Sequence, residues 1–86
     1  MTSPTFATND LYAAGALKAA LSSLSFPRIV ATGRLAGFQF EIEPTEAQRI
    51  LDEYYNDRLV VPARKYALIL RDLKGMVCEH RQSRAR

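Results

Sequence analysis

Phe38-Gln39-Phe40-Glu41-Ile42-Glu43 alternates apolar and polar side chains without a break. In an extended chain successive side chains point to opposite faces, so Phe38, Phe40 and Ile42 share one side and Gln39, Glu41 and Glu43 the other. A strand with one oily and one wet face belongs to an antiparallel sheet covered by helices on a single side. Pro44 follows directly and is expected to end the strand. Upstream, Arg28-Ile29-Val30-Ala31-Thr32 is β-prone, and Gly33-Arg34-Leu35-Ala36-Gly37 carries a glycine at each end, which predicts a hairpin turn between the two runs.

Working outward, helical spacing takes over on both sides of the hairpin. Thr8, Asn9 and Asp10 are capping residue types ahead of a run of helix formers, which predicts a first helix over about residues 9 to 23. Ala13, Ala14, Leu17, Ala20, Leu21 and Leu24 share one face of it, while Lys18 and Ser22 point away. Pro4-Thr5-Phe6-Ala7 before it is a candidate third short strand. After the hairpin, Thr45 and Gln48 have the spacing of a capping box for a helix to about Asn56, with Ala47, Ile50, Leu51, Tyr54 and Tyr55 on its apolar stripe. Pro62 suits the first turn of a final helix carrying Ala63, Tyr66, Ile69, Leu70, Leu73, Met76 and Val77 on its apolar arc. Gly75 weakens that helix by about 1 kcal/mol relative to alanine without ending it. The expected architecture is α+β: a helix, an antiparallel hairpin with a candidate third N-terminal strand, then two helices packed on one face of the sheet.

Length and composition bound the rest. Eighty-six residues leave no room for a second domain. Residues 1–80 are read as one small α+β domain and residues 81–86 as a basic tail that frays. The chain is 48% hydrophobic and 24% charged, which supplies enough apolar surface for collapse and argues against wholesale disorder. So short a chain buries only about 60% of its unfolded surface, which makes self-association or a protein partner attractive as added burial. The single cysteine, Cys78, has no intrachain disulfide partner. No apolar run reaches the roughly 18 residues of a membrane span, and Met1 to Asn9 lacks the marks of a secretory leader. A cytoplasmic location with no membrane contact is expected.

The net charge of +3 conceals a strong asymmetry. Residues 34–57 hold two cations against six carboxylates, a net −4, whereas residues 58–86 hold eight cations against two carboxylates, a net +6. Arg64, Arg71, Lys74 and Arg81 fall on one stripe beside the apolar arc of the last helix, and Arg84 and Arg86 extend it into the tail. Such an edge suits phosphates, through contacts that are salt-sensitive and independent of sequence, or contact with a partner. The competing explanation is a solvated helix face with cations placed near its C-terminus. Asp72 and Glu79 interrupt the stripe, and no recognised nucleic-acid motif accompanies it. Tyr55, at the margin of its helical stripe, is a candidate aromatic contact, and tyrosine offers large area with little entropy loss.

Catalytic constellations are not evident. Cys78 and His80 stand two residues apart on a helix and so point about 200° away from each other. Glu41 and Glu43 share a strand face, an ordinary solvated pattern. There is no GxGxxG, no phosphate loop and no Cys-x-x-Cys. The expectation is a non-enzymatic module with no cofactor, no metal and no small-molecule substrate. It would act through a protein partner or self-association, with nucleic-acid binding as the alternative.

Taken together, Phe6-Ala7-Thr8-Asn9-Asp10-Leu11-Tyr12, Phe38-Gln39-Phe40-Glu41, Glu53-Tyr54-Tyr55-Asn56 and the stretch of Ala63, Tyr66, Ala67 and Leu70-Arg71-Asp72-Leu73-Lys74 resemble a small bacterial and phage family, a domain of unknown function. The Glu-Tyr-Tyr-Asn and Leu-Arg-x-Leu-Lys stretches are its most specific pieces, and the likeness covers most of residues 5 to 77. Ser22 to Phe26 departs from the pattern, because a glycine is expected to close the first helix there. The resemblance implies a fold and carries over no activity.

Overall fold

The computed structural model describes residues 3–32 and 35–85, with side-chain environments at 3–30 and 36–81. Its elements run β1 (Phe6–Thr8), α1 (Leu11–Ala20), β2 (Arg28–Thr32), β3 (Leu35–Phe40), α2 (Pro44–Tyr55) and α3 (Ala63–Ala85). This is the expected α+β order, and the N-terminal segment does supply a third strand. The sheet is antiparallel in the order β1-β3-β2, with Phe6 opposite Phe40 and Ile29 opposite Phe38. Phe38, Phe40 and Ile42 are all buried, whereas Glu41 and Glu43 are exposed and Gln39 is half-buried. The alternation therefore places the predicted ridge in the core.

Three local boundaries differ from expectation. β3 stops at Phe40, so Ile42 reaches the core from the connection beyond the sheet, and Glu41 and Glu43 are not strand residues. Pro44 begins α2 instead of closing the strand: its fixed φ and missing N–H suit the first helical position, and Glu43 stands at the N-cap without a side-chain cap bond. The Thr45 capping box is absent for that reason. Gly37 is not part of the turn but lies inside β3 opposite Val30. A β-carbon there would stand 3.0 Å from Asn9 Oδ1 and 3.2 Å from Val30 Cγ2, so the site favours a residue without one. The turn expected at Gly33 lies outside the described residues.

Helix α1 is the centre of the molecule. The Asp10 carboxylate caps it, accepting from the Tyr12 and Ala13 N–H groups at 2.9 and 3.2 Å. It ends at Ala20, earlier than expected, because Leu21 turns extended and the Ser22–Leu24 segment bends back through a Leu24 N–H to Leu21 carbonyl bond. Ala13, Ala14, Gly15, Ala16, Leu17 and Ala19 are all buried, so small side chains let neighbours close on more than the single face that the spacing predicted. Gly15 shows how tightly: a β-carbon placed on it would lie 2.6 Å from Leu70 Cδ2 of α3. A helix-interior glycine is destabilising locally, and here the close approach of α3 is the compensating gain.

Helix α2 ends in a Schellman arrangement. The Arg58 N–H donates to the Glu53 carbonyl at 2.8 Å and the Asp57 N–H to the Tyr54 carbonyl at 3.1 Å. The residue in the left-handed position, where glycine is usual, is Asp57 at φ 59°. Helix α3 runs unbroken past Gly75 and takes Gln82 to Ala85 into its last turns. Ile69 and Leu73 are its buried residues among the described side chains, with Tyr66, Met76 and Val77 packed at the edge of the core, much as the arc predicted, while Ala63 is exposed. Among the described residues no helix is long and apolar enough to cross a membrane.

Candidate functional site

Among the described residues, two concave surfaces include residues at or beside α1, and they share no residue. The first is a groove of about 410 Å³ where the second half of α3 passes the start of α1 and the inner side of β3. Leu11, Ala36, Phe38 and Val77 give it an apolar lining, Asn9 and Cys78 contribute polar atoms, and Lys74 and Arg81 are its two cations. No carboxylate belongs to this lining. Lys74, Cys78 and Arg81 reach one groove because positions 74, 78 and 81 are neighbours on consecutive helical turns.

The basic stripe is thus divided. Arg64 and Arg71 are exposed on α3 but do not line the groove, and Arg64 lies 17 residues, about 25 Å of helix, before Arg81. Arg71 Nη2 stands 3.6 Å from Asp72 Oδ1 with both side chains largely in water, a pair that contributes little to stability. Arg84 falls in the last turn of α3, beyond the described side chains, and Arg86 lies outside the described residues. Asn9, Leu11, Ala36 and Cys78 were not singled out by the sequence as site residues. Their proximity is created by the sheet register and the crossing of α3, which no local pattern encodes.

The second surface gathers the four tyrosines of the chain. The Tyr54 and Tyr55 rings meet edge to face with centroids 5.0 Å apart. The Tyr55 hydroxyl donates to Asp10 Oδ2 at 3.0 Å, and the Tyr66 hydroxyl donates to the Tyr12 carbonyl at 3.0 Å. Tyr55 is 58% exposed and Tyr12 52%, so Tyr55 stands further into solvent than its place on the helical stripe predicted. Its hydrogen bond to the Asp10 carboxylate raises the Tyr55 phenol above its ordinary value. Burial, with the neighbouring Tyr54 next in weight, pushes Tyr66 up to about 12. Beside these rings lies a cavity of about 240 Å³ lined by Ala16, Tyr54, Asp57, Leu59, Val61 and Tyr66.

The remaining reactive groups stay apart. Cys78 is an exposed free thiol, whereas His80 has Nε2 buried with no hydrogen-bond partner among the described residues. Among the described residues no three His, Cys, Asp or Glu side chains come together as a metal site. The fold and these two surfaces define a small α+β domain with a cationic apolar groove and a tyrosine-lined cavity. No family model, curated protein or solved structure matches the chain.

Proposed function

We propose that this chain is a non-enzymatic protein-interaction module that receives an acidic, amphipathic segment of another protein in the groove between α3, β3 and the start of α1. One observation carries the reading: apolar lining from Leu11, Ala36, Phe38 and Val77 shares a single groove with the exposed cations Lys74 and Arg81. An amphipathic helix or strand needs an oily floor for its apolar face, and flanking charges then set orientation and partner choice. The net +6 of residues 58–86 favours encounter with an acidic partner. Covering this groove also adds the burial that a domain of this size has in short supply.

A nucleic-acid reading draws on the same cations but explains less. Phosphate binding uses spread charge and has no need of the apolar floor, and the exposed Asp72 and Glu79 of α3 oppose it.

The test is selection from a library of amphipathic peptides whose polar faces are acidic, neutral or basic. Acid-faced peptides should enrich, and the double variant Lys74→Glu, Arg81→Glu should abolish their binding while leaving thermal stability within a few degrees. Enrichment indifferent to peptide charge refutes the reading. So does a concentration-dependent homodimer, seen by light scattering, that the same double variant dissolves, because the groove would then be filled by a second copy. Steeply salt-dependent binding to duplex DNA or to RNA that requires residues 81–86 would favour the nucleic-acid alternative.

A further inference from the structure

Two tyrosine rings and a carboxylate-bearing residue around a small cavity are the elements of a site for organic cations. A cation is attracted to the negative face of an aromatic ring, most strongly where water is partly excluded, and quaternary ammonium groups are commonly held in this way. The cavity beside α1 has these elements in Tyr54, Tyr66 and Asp57, with Ala16, Leu59 and Val61 as its apolar remainder. We propose that it binds an alkylammonium headgroup, with methyl groups against the two rings and Asp57 supplying the opposing charge.

Three features of the structure support this assignment. The rings are held in place before any ligand arrives: Tyr66 by its hydroxyl bond to the Tyr12 carbonyl, and Tyr54 by edge contact with Tyr55. Pre-set rings bind without the ordering cost of mobile side chains. The volume of about 240 Å³ lies below the range of about 300 to 1,000 Å³ typical of sites for drug-sized molecules, which fits a compact headgroup. No cationic side chain lines the cavity, and Asp57 is fixed beside it by a turn that accepts an unfavourable left-handed backbone at a residue other than glycine. The site is independent of the groove that holds Lys74 and Arg81, with which it shares no residue.

The chemistry is common to a free ammonium compound and to a methylated lysine in a peptide, so the experiment carries both. Choline, a peptide containing trimethyllysine, and 3,3-dimethylbutan-1-ol, the uncharged analogue of choline, are titrated into the intact chain while the tyrosine ring resonances are followed by NMR. The expected result is saturable shifts at Tyr54 and Tyr66 with either cation, and binding of the neutral analogue at least about fivefold weaker. Tighter binding of choline assigns a free ligand and tighter binding of the peptide a protein-borne one, and each upholds the site. Asp57→Asn retains a residue type that tolerates the left-handed turn and should weaken the cations by about threefold or more without altering the neutral analogue. Tyr54→Leu should remove the preference for charge in a chain whose circular dichroism is unchanged. Equal affinity for charged and uncharged ligands, or no saturable shift at either ring, overturns the proposal.

Discussion

One substitution made at two helical glycines should give opposite signs, and the difference measures how closely α1 and α3 pack. Gly75 is exposed in the middle of α3, and a β-carbon there meets nothing within 4 Å. Gly75→Ala therefore keeps the full helix-propensity gain of about 0.5–1 kcal/mol. Gly15→Ala earns the same backbone gain, but its methyl group would arrive 2.6 Å from Leu70 Cδ2 and 3.1 Å from Tyr66 Cε1. Carbon atoms sit best at about 3.5–4.0 Å, so Leu70 must leave its rotamer or α3 must back away by about 1 Å. Overpacking of this kind costs about 1–3 kcal/mol, which against the backbone gain leaves Gly15→Ala destabilised by about 0–2.5 kcal/mol. For a domain of this size 1 kcal/mol moves Tm by about 4–8 °C, so the two variants should melt on opposite sides of the parent. Thermal and urea unfolding followed by circular dichroism measures both. A Leu70→Ala background should convert Gly15→Ala from harmful to neutral or stabilising, because the clashing methyl is gone while the backbone gain remains. If Gly15→Ala proves as stabilising as Gly75→Ala, the close crossing of α1 and α3 described here is wrong.

Two further outcomes follow from the turn and the tyrosines. Asp57 holds a left-handed conformation that alanine adopts poorly, so Asp57→Ala should lower stability by about 1 kcal/mol while Asp57→Gly leaves it equal or higher in urea unfolding. Equal loss in both would place the effect in the side chain and not in the backbone. Burial raises the folded-state value of Tyr66 from 10.0 to about 12, so the folded chain keeps this proton after the unfolded chain has released it. The resulting contribution is fully present below pH 10 and is lost as pH rises from 10 towards 12. Tyr66→Phe should start from lower stability, because its bond to the Tyr12 carbonyl is gone, and should then decline less steeply over that interval. Urea midpoints that fall in parallel for parent and variant contradict this account.

Much of the fold was legible because it is written in short-range periodicity. The alternation at Phe38, Phe40 and Ile42 and the 3.6-residue stripe at Ala47, Ile50 and Leu51 each specify a buried face from local geometry, and all six side chains are buried. Where two local signals competed, sequence reasoning erred. Pro44 serves equally well as a strand breaker or a first helical residue, and in the structure it begins α2. Gly37 reads as a turn residue until β3 is seen pairing through it. The helical stripe of α1 likewise named one face, whereas burial of Gly15 and Ala16 depends on a second helix that lies far along the chain.

The candidate surfaces were legible only in part, for the same reason. Lys74 and Arg81 fall on one stripe by helical spacing alone, and Tyr55 could be marked as the margin of its helix. That Asn9, Leu11, Ala36 and Cys78 complete the groove, or that Tyr54, Asp57 and Tyr66 line one cavity, depends on residues far apart in sequence. The sequence by itself determined which segments are helix or strand and, for β3 and α2, which side must leave water, because those follow from dihedral periodicity and hydrophobic burial within a few residues. Only the tertiary structure decided which polar groups meet around a cavity, because that is set by strand register and by how closely α1 and α3 approach through Gly15.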